Sequence, residues 1–169
     1  MEKRAPTIIK GDLKVTPAIR YLKSQKIPYT LYEYECGVTH GFGEHSAQML
    51  GRSQSEVYKT LVFHQDKTYA VAVVPVNCTL NLKSAAKLAG FKKAEMADPV
   101  DAERLTGYVC GGISPLGQKK RFKTVIDEEA LKHPEILVSG GKRGLSVGLD
   151  PNALVSTLGA SVGHITDSL

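Results

Sequence analysis

No apolar run in this 169-residue chain approaches the roughly 20 residues that a membrane-spanning helix needs. Cysteine is scarce as well. Cys36, Cys78 and Cys110 are odd in number and lie 42 and 32 positions apart, which argues against a disulfide framework and against a four-cysteine zinc site. The opening MEKRAPTIIKGDLKV is charged and lacks the apolar core of a secretory signal, so the expected address is the cytoplasm. Neither an internal repeat nor a low-complexity linker breaks the chain. What is present is ordinary: 42% hydrophobic and 23% charged residues, a globular composition that excludes a disordered tail, a collagenous fibre and a disulfide-dense miniprotein. The length suits one domain burying about 70% of its unfolded surface. Lys and Arg total 22 against 17 Asp and Glu, and the resulting net charge of +5 hints mildly at a polyanionic partner.

Residues 1–14 carry charge without a sustained period and read as an N-terminal extension to a single domain, 15–169. Thr16 as N-cap with Pro17 behind it starts a helix that Ile27–Pro28 ends. The alternating, tyrosine-rich 29–35 reads as a strand, 36–43 as a glycine loop, and 44–50 as a short helix closed by Gly51. Ser53 and Glu56 have capping-box spacing before the strand at 60–64, and Asp66–Lys67 forms the turn of a hairpin to 68–75. Helices follow at 82–89, ended by Gly90, and from Asp98–Pro99 to Gly107. Beyond them the pattern predicts strands at 108–112, 119–126, 135–139 and 145–149, a turn of helix at 127–132, and a helix from Asp150–Pro151 to Leu158. Adjacent strand pairs mixed with single helices do not make the regular alternation of a doubly wound fold. The expectation is a mixed α/β (α+β) fold: a barrel-like mixed sheet flanked by helices.

Several signatures can be set aside. GFGEHS has serine where a dinucleotide fingerprint needs its third glycine, SGGKRG lacks the Ser/Thr of a P-loop, and GGISPLG does not fit a nucleophile elbow. Cys36, His40 and His45, with Glu44 between, offer zinc's ligand types but not its paired spacing or a fourth partner, so polar residues in a glycine loop is the simpler reading. The loops Gly111–Gly112–Ile113–Ser114 and Ser139–Gly140–Gly141–Lys142–Arg143–Gly144 each follow an expected strand, where exposed N–H groups can cradle an oxyanion. Tight turns would explain the glycines equally well, but Lys142–Arg143 in the second loop favours an anion. The run Lys119, Lys120, Arg121, Phe122, Lys123 joins charge for phosphates to a ring for stacking, or else forms a solvated strand face. Lys59 is a single charge between Tyr58 and an apolar strand; partial desolvation there would be costly without an anionic partner, although a snorkelling strand-end lysine is the alternative.

Together the blocks TPAIRYLKSQKIPYTLYEY, YKTLVF, NLKSAAK, TGYVCGGISPLGQKKR and VSGGKRGLSV, in this order from about Thr16 to Leu158, resemble the YbaK family. The resemblance implies the fold of the editing insertion domain of bacterial prolyl-tRNA synthetases. It also implies hydrolysis, in trans beside prolyl-tRNA synthetase, of the ester joining a mischarged cysteine to the acceptor end of tRNA(Pro). Neither metal nor organic cofactor is implied, and the substrate's own thiol would attack its carbonyl. Carried over residue by residue, Lys59 would hold the terminal phosphate, and Gly111 and Gly112 would supply backbone contacts at the carbonyl. Tyr34, Phe42, Thr60, Ile113, Ser139 and Gly140 would line the substrate pocket, with Lys119, Lys120, Arg121, Lys142 and Arg143 toward the tRNA. A thiol nucleophile would reject alanine by chemistry, where fit alone discriminates only about 10–200-fold per methylene-sized difference. The alternatives are a deacylase for another mischarged tRNA, such as Ala-tRNA(Pro), and a non-catalytic RNA- or nucleotide-binding module.

Overall fold

The computed structural model describes residues 7–9 and 15–169. Helix α1 (Pro17–Ser24) starts where Thr16 accepts the Ile19 N–H, and it buries Ala18, Ile19 and Leu22. Strand β1 (Thr7–Ile9) pairs antiparallel with β2 (Thr30–Glu33), so three residues of the expected extension join the sheet; the rest of residues 1–14 lie outside the described residues. Helix α2 (Phe42–Leu50) begins two residues earlier than its pattern predicts, and Gly51 in the left-handed region ends it. Ser53 then caps a turn of 3-10 helix, while Glu56 pairs with Arg52 (2.6 Å) instead of closing a capping box.

The long hairpin forms as expected: β3 (Tyr58–Gln65) and β4 (Thr68–Pro75) pair antiparallel along their whole length. After it come β5 (Cys78–Leu80), α3 (Leu82–Ala89), β6 (Glu95–Met96), α4 (Pro99–Thr106) and β7 (Lys123–Asp127). A 3-10 turn leads to β8 (Ile136–Lys142), β9 (Leu145–Leu149), α5 (Pro151–Leu158), β10 (Ser161–Gly163) and β11 (Thr166–Ser168). Residues 108–112 are a turn, not the predicted strand: the Gly112 N–H returns to the Val109 carbonyl (2.8 Å) and Glu103 caps the Cys110 N–H (2.7 Å). The basic run enters its strand only at Lys123. Conversely β8 runs through the expected glycine loop to Lys142, absorbing it as an irregularity between Ser139 and Lys142.

The strands form a mixed α/β fold with three sheets. One has the order β1-β2-β9-β8 and is antiparallel; a second, β10-β7-β4-β3-β6, mixes both senses; β11 and β5 form the third. The expected barrel does not close. Val57, the residue before β3, meets Leu137 of β8 in one isolated parallel bridge, and no ladder continues beyond it. Apolar residues of the two larger sheets, with α1 and α5, enclose the main core around Leu22, Val73, Ile126, Ile136 and Leu154. On the other face of the hairpin sheet, α3 lays Ala85 and Ala89 over Phe63, Ala70 and Val74. Full burial of a side chain such as Phe63 stabilises by about 2–3 kcal/mol. Among the described residues no helix is long and apolar enough to cross a membrane.

Candidate active site

The gap that prevents closure is the principal cavity, about 420 Å³. Strand β3 borders it. Just before the strand the Val57 carbonyl accepts from Val76 on the β4 side, whereas the Val62 carbonyl of β3 accepts from Ala97 on the opposite side. Peptide groups alternate along a strand, so Thr60 turns its N–H and C=O the same way as Val62, toward the gap. Strand β6 resumes pairing only at Phe63 and His64. The cavity therefore sits on an unpaired stretch of strand edge, an arrangement that leaves backbone groups available to a ligand.

Lys59 stands on this wall, half-buried. Its Nζ donates to the Cys78 carbonyl (2.7 Å), leaving further ammonium hydrogens unspent. Burial holds its pKa below the ordinary lysine range, with the Cys78 and Glu44 charges acting against that shift. An anion arriving beside it would restore the lost solvation. Next to it, the Thr60 and Tyr58 hydroxyl oxygens are buried with no hydrogen-bond partner among the described residues. Burial and the nearby Asp127 charge push the Tyr58 hydroxyl well above its usual pKa, so it stays protonated.

Another wall comes from three segments locked together. Gly111 has φ of +88°, and a Cβ on it would lie 2.8 Å from the Phe42 ring; only glycine lets that ring lie flat on the turn. The Arg143 guanidinium lies over the Phe42 ring at 4.7 Å from its centroid, and Arg143 Nε donates to the Cys110 carbonyl (2.9 Å). A Cβ on Gly112 would meet Lys142 Cα at 2.8 Å, so the two glycine loops pack backbone against backbone. Deeper in, Tyr34, Ser46 and Ser146 line the cavity, with the two serine hydroxyls 3.4 Å apart and both residues buried. Burial raises the Tyr34 pKa, opposed by its hydrogen bonds to these serines. The remaining wall is apolar: Val62, Met96, Ala97, Pro99, Ala102 and Ile113.

Seven of the residues picked out in the sequence thus share one cavity: Tyr34, Phe42, Lys59, Thr60, Gly111, Ile113 and Ser139. Gly112 stands behind the wall with its N–H already given to Val109, and the Gly140 carbonyl accepts from Thr16 Oγ1 (2.6 Å). The basic run lies elsewhere. Lys120 and Arg121 border a hollow of about 110 Å³ walled by Tyr21 and Thr157, and Lys119 is exposed near Gly107. Phe122, partly buried, packs against the cluster of Val62, Val71 and Ala102, so much of the ring that suggested base stacking is taken up by that contact. Cys36, His40 and His45 are not brought together: among the described residues no three His, Cys, Asp or Glu side chains are placed to share a metal ion. Glu44, Tyr58, Ser46 and Ser146 also line the cavity, although their sequence spacing does not single them out for it.

Residues 40–157 match the family model described as the aminoacyl-tRNA editing domain. The chain belongs to that family, in its YbaK branch. A relative from Enterococcus faecalis (strain ATCC 700802 / V583), EbsC, is 42% identical over 152 residues, covering 89% of this chain and 93% of its own; it is provisionally named a Cys-tRNA(Pro)/Cys-tRNA(Cys) deacylase. Among solved structures, the hypothetical protein APE2540 superposes with a TM-score of 0.81 at 25% identity, over 90% of this chain and 100% of that one. A provisionally named trans-editing enzyme for prolyl tRNA synthetase shares the fold, with a TM-score of 0.78 at 24% identity over 92% of this chain and all of the other.

Proposed function

We propose that this protein is a freestanding aminoacyl-tRNA deacylase that hydrolyses Cys-tRNA(Pro). The observation that carries the proposal is a half-buried lysine, Lys59, at an open strand edge, lining together with a glycine turn one cavity large enough for an aminoacylated nucleoside. The name of the Enterococcus relative points to the same substrate class.

In this reading Lys59 takes the phosphate of the terminal adenosine and holds the ester over the Gly111–Ile113 turn. With the Gly112 N–H occupied by Val109, donation to the developing oxyanion falls to the N–H groups of Gly111 and Ile113. The ester is already activated, so orientation and one stabilised oxyanion suffice. The substrate thiol loses its proton and forms a C–S bond to the carbonyl carbon. The ester C–O bond breaks, the ribose oxygen leaves and takes up a proton, and water then opens the four-membered thiolactone to free cysteine. Tyr34, Phe42, Thr60 and Ser139 shape the pocket, and the Gly140 carbonyl bound to Thr16 fixes the shape of the Ser139 loop. Lys142 and Arg143 sit at the rim, while Lys119, Lys120 and Arg121 provide a separate basic surface for the tRNA body.

The work would be done in the cytoplasm beside prolyl-tRNA synthetase, without a cofactor, by residues 15–169 as one unit with 1–14 as an extension. The experiment is hydrolysis of Cys-tRNA(Pro) and Ala-tRNA(Pro) by the wild type and by Lys59→Ala. Loss of the cysteinyl ester alone, dependent on Lys59, supports the proposal. Loss of both esters favours a fitted pocket and an activated water, and loss of neither favours a binding module.

A further inference from the structure

Two side chains with a full charge line the principal cavity, Lys59 and Glu44. Both lie at the end formed by the first turn of α2 and the start of β3. Glu44 is exposed and makes no hydrogen bond or ion pair among the described residues, and Lys59 donates a hydrogen bond to the Cys78 carbonyl instead. The two charges are nonetheless near enough for Glu44 to raise the affinity of Lys59 for its proton. The Glu44 carboxylate folds over the left-handed turn at Gly41, with Oε2 3.4 Å from where a Cβ on Gly41 would lie. That leaves it as an unpaired acceptor at the rim.

A charged pair of this kind matches a ligand that carries one negative and one positive group separated by several bonds. The end of an aminoacyl-tRNA is such a ligand: a phosphodiester, and on the esterified amino acid a free α-ammonium. We propose that Glu44 reads the free α-ammonium group of the aminoacyl ester and thereby separates aminoacyl-tRNA from N-blocked forms such as formylated or peptidyl esters. This inference rests on the deacylase reading and names the part of the substrate that Glu44 contacts. Electrostatics favours the assignment. With Lys59 on the phosphate, the remaining wall around the amino acid is apolar or hydroxylic, and a cation placed there without Glu44 would lose solvation and gain only neutral partners. An acidic residue in the first turn also suits the positive end of a helix, and that role alone would predict no preference between substrates.

The test is the ratio of kcat/KM for Cys-tRNA(Pro) to that for N-acetyl-Cys-tRNA(Pro), each corrected for spontaneous hydrolysis. The wild type, Glu44→Gln, Glu44→Asp and Lys59→Ala are compared. A charge-assisted hydrogen bond at an exposed rim supports a preference of about tenfold. Glu44→Gln is expected to collapse that preference toward unity, and Glu44→Asp to keep part of it. Lys59→Ala lowers both esters together and leaves the ratio standing. A ratio in Glu44→Gln equal to that of the wild type, whatever the absolute loss, would overturn the assignment while sparing the deacylase reading. If the wild type hydrolyses neither ester, both fall together. Thermal melting of Glu44→Gln checks that the helix remains in place.

Discussion

Replacing Gly112 by alanine should damage both stability and turnover, because the obstacle is backbone that cannot move aside by changing rotamer. The new Cβ would lie 2.8 Å from Lys142 Cα, 2.9 Å from its carbonyl carbon and 3.0 Å from Arg143 N. Ordinary contacts begin near 3.4 Å, so the two loops must separate by about 0.6 Å, the difference between 3.4 and 2.8. Overpacking of this kind costs about 1–3 kcal/mol, and at about 2–4 °C per kcal/mol for a chain of this size the melting temperature should fall by about 2–12 °C. Turnover should fall further than stability alone explains. The displaced hairpin carries Arg143, which holds Phe42 on Gly111, and misplacement by about 1 Å can cost about 100-fold in rate. The assay pairs urea unfolding with kcat/KM on Cys-tRNA(Pro), and Gly37→Ala serves as the control because a Cβ there meets nothing within 4 Å. A Gly112→Ala protein with wild-type stability and turnover within twofold would refute the view that the two loops are packed against each other to build the wall.

Asp127 is fully buried and accepts from the Ile165 and Glu129 N–H groups and from Thr166 Oγ1, tying the C-terminal segment to β7. Asp127→Ala should cost about 2–4 kcal/mol in urea unfolding and speed hydrogen exchange at Ile165; a loss below about 0.5 kcal/mol would contradict this. Lys119→Ala with Arg121→Ala should lower tRNA affinity and reduce the salt slope by about 2, whereas Phe122→Ala should lower stability and leave the slope unchanged, as a packed side chain would. Burial depresses the Lys59 pKa, and its charged form is the one that holds phosphate. Affinity for a non-hydrolysable 3′-amide analogue of the tRNA end should therefore fall with rising pH below the ordinary lysine value of 10.5, and a profile flat up to that pH would count against it.

Elements that carry their own boundary chemistry were legible. Thr16–Pro17, the apolar stripe from Leu82 ended by Gly90, Asp98–Pro99 with Gly107, and Asp150–Pro151 mark four helices by local signals, and each helix forms there; the Asn81 cap of the second emerges only in the structure. The short strands β5, β6, β10 and β11 are two or three residues long, too short for alternation to show, and they exist because a neighbouring strand supplies partners. Residues 108–112 have strand composition, but side-chain capping by Glu103 and a positive φ at Gly111 make them a turn. Openness of the sheet was beyond reach for a similar reason: pairing between Val57, just before β3, and β8 is a long-range matter of one bridge. At the site, Lys59 stood out as a charge in apolar surroundings. Met96 and Ala97 did not, because they become cavity wall only through the two-residue pairing of β6. The glycine loops attracted attention as ligand cradles, yet part of their glycine requirement is contact between the loops themselves.

The central claim is that Lys59 and the glycine turn form a site for a mischarged cysteinyl ester, and side-by-side hydrolysis of Cys-tRNA(Pro) and Ala-tRNA(Pro) by wild type and Lys59→Ala tests it most directly. The wild type is expected to destroy the cysteinyl ester rapidly and the alanyl ester little, and Lys59→Ala to be slower by about 100-fold or more. Wild-type rates no greater than spontaneous hydrolysis, or a folded Lys59→Ala protein with undiminished turnover, would contradict it.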